Sequence, residues 1–205
     1  KLEYRGYDSA GIAVVSDGEI ELRKHVGAIV NLEKLIGKEN LGGHVGIGHT
    51  RWATHGAPSD VNSHPHMSAD NRVALVHNGT IENYVELRTA LEDEGIGFKS
   101  DTDSEVAAVL IGKYYNMLGD LKAAMDKATS EMTGTFALAA IAADEPDMFV
   151  AYRKNAPLIV GKGDGCNFVA SDFSALLKYT KDVYLLENGD TVVLTPDSVT
   201  IYDET

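Results

Sequence analysis

Ten apolar runs of three to eight residues are spread along the chain, and seven of them follow Thr135 in close succession. Each run is bounded by glycine or polar residues, a pattern that is typical of β-strands. Because strands and helices do not alternate regularly, the sequence predicts an α+β protein built in layers and not a doubly wound parallel sheet. The predicted strands cover 12–15, 45–47, 73–76, 136–143, 149–151, 158–160, 168–170, 183–186, 192–194 and 199–202.

Apolar residues recur at helical spacing in four further segments. These segments are 29–36, 84–91, 106–114 and 121–132. Two of them follow a capping-box pattern, in which a polar residue is followed three positions later by glutamate: Asn83 with Glu86, and Thr102 with Glu105. We therefore predict helix starts near Asn83 and Thr102.

The composition restricts the kinds of partner. The length of 205 residues with 44% hydrophobic side chains is sufficient for one domain with a substantial core. A net charge of −13 would repel nucleic-acid phosphates and anionic lipids, so neither nucleic acid nor membrane is an expected partner. No stretch approaches the ~20 apolar residues that span a bilayer, and the first residues lack a secretory apolar run, which favours a cytoplasmic protein.

The only cysteine, Cys166, cannot form an internal disulfide or a cysteine-rich zinc site, and it fits a reducing compartment. It lies in a glycine-rich turn at 161–168 that leads into a predicted strand, and no histidine follows His77. We therefore interpret Cys166 as a structural residue and not as a nucleophile. The glycine-rich turn is a poor phosphate loop, because no helix follows it.

Reactive side chains are densest between His49 and Asn83. The segment 49–56 follows a predicted strand and enters a loop, a common place for functional residues. Arg51 offers a planar fork of donors that matches a carboxylate, and Thr54 adds a hydroxyl. A solvated surface arginine explains the same pattern equally well.

Five of the seven histidines also lie in this region, so the sequence allows a metal site with His64 and His66 as two ligands. The helical HExxH spacing is missing, and the carboxylates that complete a mixed site are not grouped with these histidines. Histidines that are hydrogen-bonded within the structure are the preferred interpretation.

Two further positions leave alternatives open. Asn78-Gly79 predicts a tight turn with Gly79 at positive φ, or a place where an amide side chain and an N–H group converge as an oxyanion hole. Asp103 opens a predicted helix, where an aspartate most often satisfies the end N–H groups and the helix dipole.

Taken together, the segments 2–11, 49–56, 76–79 and 100–105 resemble, in this order, the class II glutamine amidotransferases, which use an N-terminal nucleophile. Within that class, the segments 3–8, 51–56 and 62–66 resemble the fructose-6-phosphate aminotransferase branch. The resemblance implies the four-layer αββα fold of the N-terminal nucleophile hydrolases, with two antiparallel sheets between helical layers.

The resemblance also implies roles for individual residues. Arg51 would clamp the α-carboxylate of glutamine with Thr54 and His55, and Asp103 would hold the α-ammonium with the Gly79 carbonyl. The Asn78 amide and the Gly79 N–H would form the oxyanion hole. Three further residues would support the site, namely Trp52 on a loop that closes over glutamine, and Arg5 and Gly6, which would order the nucleophile.

In the family the nucleophile is an N-terminal cysteine, which would lie upstream of Lys1. The resemblance therefore implies that residues 1–205 are a glutaminase domain truncated at its N-terminus, lacking the first strand and most of the first helix, and inactive alone. In the intact enzyme, an expected homodimer, ammonia would pass to C-terminal isomerase domains and aminate fructose 6-phosphate for amino-sugar biosynthesis. No metal or organic cofactor is implied.

Three alternatives remain at this point. The domain could serve another acceptor, as in the phosphoribosyl amidotransferases. The chain could be a histidine-bound metallohydrolase, or a binding module that has lost its catalysis.

Overall fold

The computed structural model describes residues 6–37, 41–52 and 56–203. All ten predicted strands and all four predicted helices form, most of them longer than predicted. The strands are β1 Ser9–Ser16, β2 Glu19–Val26, β3 Val45–Arg51, β4 His66–Met67, β5 Val73–Ile81, β6 Gly134–Ala142, β7 Phe149–Lys154, β8 Ile159–Lys162, β9 Asn167–Ala170, β10 Asp182–Leu185, β11 Thr191–Leu194 and β12 Val199–Tyr202. The helices are α1 Ile29–Ile36, α2 Tyr84–Asp93, α3 Asp103–Leu118, α4 Leu121–Glu131 and α5 Phe173–Leu176.

The strands form three sheets within the described residues. The largest has the order β12-β11-β7-β6-β5-β4, and the two smaller ones have the orders β2-β1-β3 and β10-β8-β9. Every pairing between these strands is antiparallel. The prediction of an α+β fold with antiparallel sheets is therefore confirmed.

The apolar core is divided between the two faces of the six-stranded sheet. On one face, Val73 and Leu75 of β5 pack with helices α2, α3 and α4. On the other face, Ala74 packs with β1, β3 and β8 of the smaller sheets. Because this sheet is buried on both faces, most of β6 and the first half of β5 are continuous apolar runs that do not alternate in polarity.

Helices also cover the outer side of the smaller sheets. Helix α1 packs against β1 and β2, and the short α5 packs against β9 through Leu176. The layers are therefore helices, a six-stranded sheet, two three-stranded sheets and helices again. None of the helices in the described ranges is long and apolar enough to cross a lipid bilayer.

Neither predicted capping box forms completely: the Glu105 carboxylate accepts from the N–H groups of Lys99 and Ser100, and the two polar residues at the helix starts behave differently. Thr102 caps α3, and its hydroxyl accepts a hydrogen bond from the Glu105 N–H at 3.2 Å. Asn83 precedes α2 but makes no side-chain cap, so the capping prediction is wrong there. Its amide instead binds the Glu131 carbonyl and the Thr133 N–H, which ties the start of α2 to the end of α4.

Candidate active site

A cavity of about 450 Å³ lies between the six-stranded sheet and the smaller sheets. Polar residues from the second half of β3, the second half of β5 and the start of α3 line one part of it. Apolar residues line another part, among them Leu158, Phe168 and Leu176. A cavity of this size, with apolar walls and a few converging polar groups, is typical of a small-molecule site.

Asn78 and Gly79 lie inside β5, where they pair with Ala137 and Phe136 of β6. The tight turn considered from the sequence is therefore wrong. Gly79 does have a positive φ of 115°, and a Cβ atom there would lie 2.1 Å from the Thr135 oxygen. The strand can adopt this conformation only because glycine has no side chain, and it leaves Gly79 on the cavity wall.

Arg51 is the last residue of β3 and only 4% exposed, so the solvated surface arginine considered above is excluded. Its Nη2 donates to the Gly56 carbonyl at 3.0 Å. A Cβ atom at Gly6 would lie 2.6 Å from the Arg51 carbonyl carbon, so the chain before β1 passes directly over this strand end. The segment predicted to be a loop from His49 onward is strand as far as Arg51.

Trp52 follows β3 and lines the cavity while remaining 62% exposed. Its ring lies 5.5 Å from that of Tyr7, which is also exposed. The exposed indole of Trp52 on the cavity wall can therefore contact a ligand. Three residues assigned roles by the resemblance, Arg5, Thr54 and His55, lie outside the described residues.

Asp103 is buried in the first turn of α3, but it does not cap the helix. Its Oδ2 accepts a hydrogen bond of 3.0 Å from the N–H of Ile81, the last residue of β5. The capping role is filled by Thr102, so the interpretation of Asp103 as only a capping residue is wrong. Asp103 and Arg51 line the same cavity and attract each other electrostatically.

Four histidine rings form a cluster that the sequence pattern did not predict: His64, His66 and His77, which are buried, and His49, which is half-buried. His64 Nε2 and His77 Nδ1 both lie 2.9 Å from the Ser104 hydroxyl, which in turn lies 3.3 Å from Asp103 Oδ1. A hydroxyl accepts two hydrogen bonds and donates one, so Ser104 accepts from both imidazoles and donates to Asp103.

Burial lowers the pKa of His49 to about 4 and lowers the pKa values of His64 and His66 well below 6.5. These three imidazoles are therefore neutral at pH 7. Across the described ranges, no three histidine, cysteine or acidic side chains are arranged to hold a metal ion. His64 and His66 instead bind the hydroxyls of Ser104 and Thr102, which supports the interpretation of structural histidines.

His64 lies in the loop at 61–65, which is anchored by a residue of the sheet β2-β1-β3. The ammonium group of Lys24, on β2, donates to the carbonyls of Val61, Ser63 and Pro65 at 3.1, 2.7 and 3.2 Å. These contacts use all three donors of the ammonium group. The loop is thereby fixed under the cavity, although it contains little regular structure.

Cys166 is exposed and does not line the cavity. The hydrogen-bond partner of its thiol is the Asp164 carbonyl, 3.7 Å from Sγ in its own turn. This placement supports the interpretation that Cys166 has no catalytic role. His49 and Ser104 were not predicted as members of the site, because only the folded chain brings their hydrogen-bond partners to them.

Comparison with known proteins shows that the chain is similar to one family. Residues 49–178 match the family model described as the glutamine amidotransferase domain. The glutamine–fructose-6-phosphate aminotransferase (isomerizing) of Clostridium perfringens is 54% identical over 204 residues, which are 100% of this chain and 33% of that protein. The protein of the same name from Methanosarcina acetivorans is 53% identical over 212 residues, covering 99% of this chain and 34% of its own. The chain thus spans about a third of these relatives.

The fold also matches solved structures. The glutamine phosphoribosylpyrophosphate amidotransferase of B. subtilis, complexed with ADP and GMP, superposes with a TM-score of 0.82 at 26% identity. The match covers 98% of this chain and 44% of that chain.

Proposed function

Because the chain belongs to the glutamine amidotransferase domain family, we propose that it is the glutaminase part of a glutamine–fructose-6-phosphate aminotransferase. The observation that carries this proposal is the convergence of a buried cation, a buried carboxylate and an amide on one cavity, from Arg51, Asp103 and Asn78. Free glutamine presents the complementary groups: an α-carboxylate, an α-ammonium and a side-chain carbonyl that develops negative charge during hydrolysis.

Arg51 and Asp103 would recognise the two charges of the amino acid. The Arg51 guanidinium would bind the α-carboxylate with Thr54 and His55, and Asp103 would bind the α-ammonium with the Gly79 carbonyl. Each such charge-assisted contact contributes ~1.5–3 kcal/mol when partly buried. The exposed Trp52 would close over the bound amino acid.

Asn78 and Gly79 would stabilise the transition state. In the proposed reaction, the thiolate of an N-terminal cysteine, ordered by Arg5 and Gly6, attacks the side-chain carbonyl carbon of glutamine. The carbonyl oxygen then becomes an oxyanion, which the Asn78 side-chain amide and the Gly79 N–H bind. The C–N bond breaks as the nitrogen takes up the proton that the cysteine's own α-amine removed from the thiol, and ammonia leaves. Water hydrolyses the remaining γ-glutamyl thioester to glutamate and restores the thiol.

The acceptor is proposed to be fructose 6-phosphate, bound in C-terminal isomerase domains of the same chain. About 50% identity to aminotransferases of this name, against 26% to the phosphoribosylpyrophosphate amidotransferase, supports this acceptor. The single cysteine fits a reducing compartment, which supports a cytoplasmic setting. The homodimer proposed for the intact enzyme can be checked by light scattering.

The proposed hydrolysis is tested by Asn78→Ala in a chain extended to the N-terminal cysteine. Removing one oxyanion donor typically lowers kcat by ~10²–10³, while KM for glutamine should change little. Asn188→Ala, on an exposed turn, is the matched control. An unchanged kcat in Asn78→Ala, with unchanged melting, would remove Asn78 from the oxyanion hole. The amino-sugar phosphate product of the full-length protein tests the acceptor.

A further inference from the structure

In the cavity wall, a hydrogen bond connects the six-stranded sheet to the sheet β2-β1-β3. Nε2 of His49, on β3, lies 2.8 Å from Oδ1 of Asn78, on β5. The two strands belong to different sheets, so this contact is not a consequence of strand pairing.

The direction of the contact follows from which nitrogen of the His49 imidazole carries the proton. An amide oxygen accepts hydrogen bonds and cannot donate them, so the proton lies on Nε2 of His49. Burial lowers the pKa of His49 to about 4, so the imidazole is neutral and its Nδ1 carries no proton at pH 7. That nitrogen is buried with no hydrogen-bond partner among the described residues, so protonating it would create an unsatisfied N–H group.

The orientation of the Asn78 amide follows from this contact. With Oδ1 held by His49, Nδ2 lies on the opposite side of the amide, and it has no other partner within the described part of the chain. The terminal torsion of asparagine is broad and nearly two-fold, so packing alone discriminates poorly between the two orientations. In the flipped orientation, the amide would present an oxygen atom to the developing oxyanion and repel it.

We propose that His49 is a positioning residue, which fixes the Asn78 amide with its N–H groups directed at the oxyanion. The inference rests on the proposed glutaminase function. The His64 ring, 4.2 Å from the His49 ring, packs against it and restricts the imidazole in turn. His49 does not touch the reacting atoms. It acts through Asn78, by making the donor orientation the favoured one before substrate arrives.

The test uses the full-length enzyme with its N-terminal cysteine. His49→Leu removes the donor and should lower kcat for glutamine hydrolysis by about 10- to 30-fold, the factor expected when a hydrogen bond that fixes one orientation is lost. KM for glutamine should change less than about two-fold, since the contacts to the charged groups remain. His49→Gln places an N–H group near the same position and should recover most of kcat.

A double variant distinguishes positioning from general support of the fold. In an Asn78→Ala background, His49→Leu should cause no further loss of kcat, whereas a structural role would cost the same factor in both backgrounds. His66→Leu removes another buried imidazole and should lower the melting temperature while leaving kcat near that of the unmodified enzyme.

The outcomes separate the two claims. If Asn78→Ala leaves kcat intact, the proposed oxyanion hole fails. If Asn78→Ala lowers kcat but folded His49→Leu does not, only the positioning role is overturned. The same holds if the fold-losses in kcat of the two single variants multiply in the double variant. Should His49→Leu fail to fold, His49→Gln is the deciding variant. The proposed role needs only an N–H donor, which glutamine supplies. A folded His49→Gln enzyme whose kcat is more than 10-fold below the unmodified value would therefore contradict the role.

Discussion

The carboxylate of Asp103 accepts a hydrogen bond from the backbone N–H of Ile81 at 3.0 Å, which joins the first residue of α3 to the last residue of β5. The contact holds one carboxylate oxygen in place while Asp103 lines the cavity. Asparagine can still accept the Ile81 hydrogen bond through its own oxygen. Asp103→Asn therefore removes the negative charge while retaining the anchor.

We expect Asp103→Asn to weaken glutamine binding by about 10- to 100-fold, the loss of one charge-assisted contact. Binding of glutaramate, which is glutamine without its α-ammonium, should change less than two-fold. Titration calorimetry with both ligands measures the difference. The neighbouring exposed Asp101→Asn is the control for charge. Equal weakening of both ligands would mean that Asp103 does not bind the ammonium group.

The histidines with lowered pKa values make the free energy of unfolding depend on pH. The pKa of His49 is lowered to about 4 by burial, and the pKa values of His64 and His66 are also lowered, whereas the unfolded chain titrates near 6.5. Their contribution is fully present above pH 6.5 and is lost as the pH falls towards 4, because the unfolded chain takes up protons that the folded chain does not. For His49 alone the loss is about 2 kcal/mol at pH 5.

Urea unfolding between pH 7.5 and pH 4.5 measures this effect. The free energy of unfolding should fall steadily below pH 6.5, and His66→Gln should make the fall shallower. His44→Gln, an exposed histidine, should leave the slope unchanged. A free energy of unfolding that stays constant from pH 7.5 to pH 5 would contradict the low pKa values.

Gly79→Ala should destabilise the protein by roughly 3 kcal/mol or more, because the residue has a positive φ and its Cβ would overlap the Thr135 oxygen. Gly97→Ala is the matched control, since a Cβ there meets no atom within 4 Å. The midpoint of urea unfolding measures both variants. Similar midpoints would show that β5 relaxes around the methyl group.

Cys166→Ser should leave glutamine turnover and stability nearly unchanged in the extended chain, because the thiol is exposed and does not line the cavity. A steady-state assay of glutamate formation measures turnover. A large fall in kcat with an unchanged melting temperature would return Cys166 to the list of catalytic residues.

Much of the fold could be predicted from apolar runs, but β2 could not. Its sequence, EIELRKHV, is rich in charged residues and none of them is fully buried, because the strand is at the edge of a small sheet. The signal that could have found it is the turn Asp17-Gly18, where both residues have positive φ and connect β1 to β2. The strand β4 and the helix α5 have only two and four residues, which is too short for a periodic signal.

Individual residues were proposed for the site from the sequence, and these roles stay predictions, but the arrangement of the residues was not predicted. Sequence spacing placed Asn78-Gly79 after a strand, whereas pairing with β6 continues the strand through both residues. The contacts of Ser104 with His64 and His77 join positions 40 and 27 residues apart. No local pattern encodes such distances, so the histidine cluster and the role of His49 required the folded chain.

The hydrogen bonds of the Lys24 ammonium group determine which parts of the molecule unfold together. Its three hydrogen bonds join β2 to the loop at 61–65, so neither can separate from the other without breaking all three. The edge strand and the loop should therefore unfold as one cooperative unit, with similar protection in native-state hydrogen exchange. In Lys24→Met the amide hydrogens of the loop at 61–65 should exchange through local opening of the loop alone, and therefore faster than the amide hydrogens of β1.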